Sequence, residues 1–168
     1  MSCVWNNQYF VSATWLYNTV KQILIDQFKQ IWHSNLQNSP KALHYRMFKE
    51  KLEIEKYFKK LDDRNITTLC RFRTTNHKLP IETGRWQNIA RKNRKCLLCK
   101  SGDIGDEFHY IFVCSKFDDN HNLLSRKKFR NRPNSLKFSS LMNSNNSSDM
   151  NNLRRFIRIV NQMLDSPV

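Results

Sequence analysis

The chain has 168 residues, enough to bury a hydrophobic core without the support of disulfides. Its 3 glycines and 4 prolines leave few sites for the tight turns of a sandwich or barrel, so the composition favours a mainly α fold with little or no sheet. A net charge of +15 favours a nucleic-acid partner; a merely soluble basic protein and one that binds an acidic membrane surface are the weaker alternatives.

The N-terminus lacks the basic flank and apolar run of a signal peptide, and no stretch reaches the roughly 18 apolar residues of a membrane span. We therefore expect a cytoplasmic or nuclear protein that does not enter a membrane. In a reducing compartment, closely spaced cysteines indicate metal ligands or catalytic thiols before disulfides.

The first predicted element is a long amphipathic helix over residues 9–32, where apolar side chains recur at intervals of three and four. Pro40 ends the helical stretch, because a proline disfavours helix in the residue before it. A helix-like apolar rhythm follows over residues 45–61. Asp62 and Asp63 can then cap a helix over residues 65–75.

After Pro80 the pattern predicts a loop and then a basic run over residues 91–95. Beyond Cys114 we expect a basic helix over residues 116–130, followed by a solvated Asn/Ser loop over residues 143–152. Ser148 or Asp149 can cap a last amphipathic helix, whose apolar face packs on the core. The expected segments are 1–61, 62–132 and 133–168, together in one compact domain.

Four potential metal ligands occur at the spacing Cys96-x2-Cys99-x9-His109-x4-Cys114. Two thiolates three residues apart can point at one ion from a short turn, and three thiolates with one imidazole suit tetrahedral Zn²⁺ better than Mg²⁺ or Ca²⁺. The alternatives are core thiols beside an unrelated histidine, or a disulfide. His121 is the candidate substitute for His109.

A continuous helix would place positions 109 and 114 about 140° apart, so the helix that carries His109 must end or bend before Cys114. A complete set of four protein ligands is typical of a structural zinc rather than a catalytic one. We therefore expect one structural Zn²⁺ in a small helical domain with a CCHC loop, and no enzyme activity. Cys3 and Cys70 are expected to be ordinary residues without a catalytic role.

The stretch "H-K-L-P-I-E-T-G-R-W-Q-N-I", followed by the CCHC set and "D-E-F-H-Y-I-F-V-C", resembles the C-terminal zinc-binding segment of reverse transcriptases from LINE-like, non-LTR retrotransposons. The resemblance covers roughly residues 45–132. It implies the same four zinc ligands, no catalytic residue, and binding of template RNA or target DNA. The residues that match the family's segment before the cysteines are His77, Leu79, Ile81, Glu82, Gly84 and Arg85.

The polymerase signature of that family places an aromatic residue two positions before a pair of aspartates. Lys60 stands at that place before Asp62, and Lys116 stands there before Asp118. Nor does the chain after Cys114 contain the acidic pattern of the family's nuclease. The resemblance therefore implies a segment detached from its polymerase.

Cations and one tryptophan surround the cysteines, and cations neutralise phosphates while an aromatic ring stacks on an unpaired base. This pattern predicts binding of single-stranded RNA or DNA, with no small-molecule substrate. The alternatives are a zinc-stabilised scaffold that docks a protein partner through the N-terminal helix, and a retroelement relic without a function. The predicted nucleic-acid-binding residues are Arg71, Arg73, Lys78, Arg85, Trp86, Arg91, Lys92, Arg94, Lys95 and Lys100.

His77 is expected to be a hydrogen-bonded structural histidine rather than an acid–base catalyst. Glu82 is expected to pair with Arg85, three residues along the chain.

Overall fold

The computed structural model describes residues 12–124, 129 and 131–166, and these residues are mainly helical, as the composition predicts. Within these ranges no β-strand occurs, and Lys95 and Ile104 form an isolated antiparallel bridge. The chain divides into two compact units, of which the first ends at Asn38 and the second begins at Ser39. This division differs from the boundaries at 61 and 132 that the sequence suggests.

The helix of the first unit, α1, spans Ala13–Asn38 and contains 26 residues. The sequence predicts a helix over 9–32, of which residues 9–11 lie outside the described part of the chain. At its other end α1 runs six residues beyond the predicted limit. It ends at Asn38, and Ser39, the residue before Pro40, is outside the helix, as the steric effect of a proline requires.

The second unit is built from short α-helices joined by turns, and its core lies where these helices pack together. The α-helices of the described part are α2 (Tyr45–Phe48), α3 (Asp63–Arg73), α4 (Pro80–Trp86), α5 (Glu107–Phe112), α6 (Ser135–Met142) and α7 (Ser147–Asp165). The helix α3 packs against α7, α2 packs against α6, and α7 also contacts a 3₁₀ helix over Asn120–Leu124. The further 3₁₀ helices are Lys56–Lys59, Arg91–Asn93 and Ser115–Phe117.

The helix-like rhythm over residues 45–61 produces only α2 and the 3₁₀ helix Lys56–Lys59, separated by extended backbone. Two side chains, one in α6 and one directly after it, cap the end of α2. Ser139 donates to the carbonyl of Met47, and Asn143 donates to the carbonyl of Phe48. These bonds satisfy carbonyl groups that a longer helix would have used. The helix-like rhythm over residues 45–61 therefore does not correspond to one continuous helix.

The cap predicted before α3 is confirmed, since the side chain of Asp62 accepts a hydrogen bond from the backbone N–H of Asn65 at 2.9 Å. The loop predicted after Pro80 is wrong, because α4 begins at that residue. Proline is well suited to the first turn of a helix, where its missing N–H has no intrahelical partner.

The later elements also begin elsewhere than the sequence suggests. The segment expected to be helical from 116 begins with 3₁₀ turns, and residues 125–128 and 130 lie outside the described ranges. Asn146, rather than Ser148 or Asp149, caps α7, so only the first part of the polar segment over 143–152 is a loop. Asp149 is buried and accepts a hydrogen bond from Ser144 instead.

The apolar face of α7 packs on the core, as predicted. Its fully buried members are Leu153, Phe156, Ile157 and Val160. Cys70 is half-buried beside the core and lies 3.2 Å from the Tyr57 hydroxyl, as expected for an ordinary small side chain. Cys3 lies outside the described residues.

A buried carboxylate joins three distant segments of the second unit. One oxygen of Glu107 lies 2.6 Å from Nδ1 of His44, and the other lies 2.8 Å from Nε2 of His77. All three side chains are nearly inaccessible to solvent. His77 is therefore a hydrogen-bonded structural histidine, as expected.

The two imidazoles explain how a carboxylate stays charged in this position. Burial opposes ionisation of Glu107, but hydrogen bonds from His44 and His77 outweigh it and hold the pKa of the carboxyl below its usual range. Burial likewise opposes protonation of His44, but its bond with Glu107 raises the pKa of the imidazole. Between about pH 4.3 and 6.5 both effects stabilise the fold fully.

We expect Glu107→Gln to lower the free energy of unfolding by about 1 to 3 kcal/mol, because an uncharged amide cannot replace the buried carboxylate that bonds to both imidazoles. The difference from wild type should shrink as the pH rises through the raised pKa of His44, since the neutral imidazole gains less from a carboxylate. Urea denaturation at pH 6 and pH 8.5 measures both effects. The exposed Glu53→Gln is the control, and an equal loss in that variant would contradict the buried network.

Candidate metal centre

A closed loop carries the first two cysteines. The backbone N–H of Cys96 donates to the carbonyl of Asp103 at 2.9 Å, and the N–H of Gly105 donates to the carbonyl of Arg94 at 2.9 Å. Gly102, with φ of +75°, allows the chain to turn back between them. Cys96 and Cys99 therefore lie on a short turn fixed by backbone hydrogen bonds at its base.

The helix α5 carries the histidine. Its N-cap is Asp106, whose side chain accepts from the backbone N–H of His109 at 3.0 Å. The helix ends at Phe112, and the N–H of Cys114 then bonds to the carbonyl of His109 at 2.8 Å. The predicted end of the helix before Cys114 is confirmed, and it brings residues 109 and 114 to the same side.

The four side chains converge on one point. The thiol sulfurs of the three cysteines and a ring nitrogen of His109 all lie within 4.8 Å of one another. The Sγ atoms of Cys96 and Cys114 are 3.8 Å apart, and Sγ of Cys99 lies 3.3 Å from Nε2 of His109. A tetrahedral ion bound at about 2.3 Å to sulfur and about 2.0 Å to nitrogen requires separations of about 3.8 and 3.5 Å. The cluster is therefore able to hold a metal ion.

Hydrogen bonds within the cluster favour thiolate at two of the sulfurs. A bond from Cys114 lowers the pKa of Cys96, and the same pairing raises the pKa of the Cys114 thiol. For Cys99, burial opposes ionisation, but the bond from Ser101 outweighs it and lowers the pKa. This concentration of negative charge favours a bound cation.

The histidine of the cluster is charged more readily than an ordinary imidazole. Burial lowers the pKa of His109, but hydrogen bonding to Cys96 outweighs burial and raises it. A metal ion and a proton therefore compete for this nitrogen, as they compete for the thiolates.

His121 does not belong to the cluster. Its ring stacks on Phe156, with centroids 5.5 Å apart, and its Nε2 lies 3.4 Å from the carbonyl oxygen of Tyr110. Of the two candidate ligands, His109 and His121, only His109 lies with the three cysteines.

Two further residues shape the site, and spacing alone does not reveal them. An oxygen of Asp103 lies 3.7 Å from Nδ1 of His109, on the side of the ring away from the sulfurs. A Cβ at Gly105 would come within 2.9 Å of Pro80 and 3.1 Å of the backbone of Cys96, so only glycine fits there. The sequence feature that could have pointed to Gly105 is the rarity of glycine, since the chain has only 3 glycines.

The structure separates the predicted nucleic-acid-binding residues into two groups, and the first group has structural partners. Arg73 is 3% exposed, lies over the rings of Phe48 and Tyr57, and donates to Glu55 and to the carbonyl of Met142. Because a buried guanidinium cannot reach a phosphate, Arg73 does not belong to a binding surface.

Four other cations of this first group are accessible or half-buried but engaged. Arg94 donates to the carbonyls of Ile81 and Ile89 and so connects the basic run over residues 91–95 to α4. The ion pairs of the remaining three are Lys78 with Asp165, Arg85 with Glu82, and Arg91 with Asp106. The predicted pair of Glu82 and Arg85 is thereby confirmed.

The second group is exposed and unengaged. Its cations form no ion pair with any residue that the structure describes: Arg71, Lys92, Lys95 and Lys100. Trp86 is 59% exposed, and its indole N–H donates to Glu82 at 3.1 Å, which holds the ring in place.

The fold and the cluster define a mainly helical protein with a candidate CCHC metal site. No protein-family model, curated protein or solved structure matches the chain. Among the helices described, none is long and apolar enough to cross a bilayer.

Cobalt tests which histidine completes the set, because tetrahedral Co²⁺ absorbs visible light in a manner that depends on its ligands. We expect His109→Gln to weaken cobalt binding and to shift the absorption of the tetrahedral complex, because only three of the four ligands remain, and His121→Gln to leave both unchanged. A loss of absorption in the His121 variant alone would contradict the ligand set. Near-ultraviolet circular dichroism checks that both variants remain folded.

Proposed function

We propose that this chain is a zinc-binding module that binds single-stranded nucleic acid and has no catalytic activity of its own. The observation that carries the proposal is the convergence of three thiols and one imidazole within 4.8 Å. The nucleic-acid part rests on the exposed cations next to this cluster and on the net charge of +15.

The donor set favours zinc over other ions. Soft thiolate ligands with an imidazole suit Zn²⁺, whereas Mg²⁺ and Ca²⁺ take oxygen ligands. Four protein ligands fill the tetrahedron and leave no position for a reactive water, so the ion has a structural role. It would fasten the loop of Cys96 and Cys99 to the end of α5.

We expect protein purified without chelator to contain one equivalent of zinc, measured by elemental analysis. Cys99→Ser should weaken zinc binding at least about tenfold in competition with a chromophoric chelator, because a hydroxyl is a poor ligand at neutral pH. Removing the metal should also lower the melting temperature of wild-type protein. Cys70→Ser, outside the cluster, is the control. Less than half an equivalent of zinc in the wild type would contradict the proposal.

The proposed nucleic-acid surface is the basic loop, residues 85–95, together with Lys100. Lys92 and Lys95 offer charges that no described residue neutralises, and Trp86 offers an exposed ring held at a fixed position. Phosphate contacts would supply most of the affinity and stacking would favour unpaired bases, so binding should depend strongly on salt and weakly on sequence. The resemblance to retrotransposon reverse transcriptases favours the same class of ligand.

We expect the double variant Lys92→Ala, Lys95→Ala to bind single-stranded RNA more weakly than wild type. Two lost phosphate contacts should reduce the slope of log K against log salt by about 1.4 for a single strand. Fluorescence anisotropy over a salt series measures the slope. The matched control is Lys51→Ala, Lys59→Ala, which removes the same charge from exposed positions outside the basic loop.

Two outcomes would contradict this surface. Wild-type protein that fails to bind at low salt, or whose binding is indifferent to salt, would exclude nucleic acid as the ligand. An equal change of slope in the control would show that binding follows net charge rather than the basic loop.

A further inference from the structure

The helix α1 carries a broad apolar face that is exposed to solvent. Its large side chains are each 46% to 60% exposed, and they lie within an arc of about 140° around the helix axis. The residues of this face are Leu16, Val20, Ile23, Leu24, Phe28 and Ile31.

This face is at the upper end of what a monomer usually exposes. Each of the six side chains offers about 100 Å² of apolar surface, so together they offer about 600 Å² before flanking residues are counted. Monomeric proteins rarely leave a contiguous patch of more than a few hundred Å², and a standard interface needs about 800 Å² from each partner. With Tyr17, which lies in the same arc at its N-terminal end, this face of α1 comes closer to that area.

The spacing along α1 fits a second helix. Tyr17, Val20, Leu24, Gln27 and Ile31 follow one another at alternating steps of three and four, the pattern by which two helices pack side by side. The 26 residues extend over about 39 Å, enough for several such layers. A two-fold pair would let the same face serve both partners.

The charge of α1 indicates which helix would cover it. Of the net charge of +15, only +1 lies in residues 1–38, from Lys21, Asp26 and Lys29. An acidic protein or an anionic membrane surface would be attracted by cations, which this helix hardly offers. Two copies of the chain, by contrast, can meet along a nearly neutral helix without bringing many like charges of α1 together.

We propose that the protein forms a homodimer in which the apolar faces of two α1 helices pack together. Leu24 lies at the centre of the contact. Gln27, the polar residue of the repeat, favours one alignment of the two helices, because a buried amide needs a partner. The dimer requires neither metal nor nucleic acid, since none of the residues proposed for those roles lies in α1.

Sedimentation equilibrium of the whole, zinc-loaded protein tests the proposal. We expect about twice the chain mass of 20.2 kDa for the wild type. Leu24→Lys brings two charges into the contact and should raise the dissociation constant at least about 100-fold. Asn18→Lys adds the same charge on another face of α1 and should leave the dimer intact.

Both side chains are exposed, so neither change removes a buried contact, and far-ultraviolet circular dichroism checks the helix content. A wild type that is monomeric at about 100 µM, far above a typical dissociation constant, would overturn the proposal. So would a trimer or larger assembly, or a dimer that Leu24→Lys does not weaken. A partner other than a second copy would give the monomeric result.

Discussion

The tightest constraint on the second unit is the approach of three sulfur atoms and one imidazole nitrogen to within 4.8 Å of one another. Thiolates at this distance repel each other, and without a cation they can coexist only by sharing protons. The opposite shifts in the pKa of Cys96 and of Cys114 follow from that sharing. Repulsion between neighbouring thiolates therefore disfavours this arrangement, and a bound cation would remove that repulsion.

The short helix α5 connects this cluster to the rest of the second unit. Within one and a half turns it contains the N-cap Asp106, the buried carboxylate of Glu107, the ligand candidate His109 and the core residue Tyr110. Glu107 in turn holds His44 and His77, which lie far away in sequence. A single helix of 6 residues therefore contacts both the cluster and the segments before α2 and after α3.

What the sequence could predict was local. Asp62 before α3, Pro40 after α1 and the end of α5 before Cys114 each follow from the chemistry of one residue or one turn. Ligand spacing likewise selected His109 and its three cysteines, because a metal site formed from neighbouring turns leaves a regular pattern.

What it could not predict required tertiary contacts. The bonds that end α2 come from residues about 90 positions away, and the partner that buries Arg73 is Glu55 together with aromatic rings from other elements. From the sequence alone, Arg73 was expected to be a surface charge. The loop expected after Pro80 was a different kind of error. A proline is common at the start of a helix, but the segment after Pro80 has no clear apolar period, and the prediction followed the missing period.

The distribution of charge joins the two proposals into one physical picture. Nearly all of the net charge lies beyond residue 38, whereas α1 is long, apolar on one face and almost neutral. If two α1 helices pair, each dimer presents two basic loops on one assembly, and a single strand that reaches both gains affinity from the high effective concentration of the second loop. Weak, sequence-tolerant contacts of the kind that Lys92 and Lys95 can make would then suffice for tight binding, because avidity replaces the specific contacts that the small loop lacks.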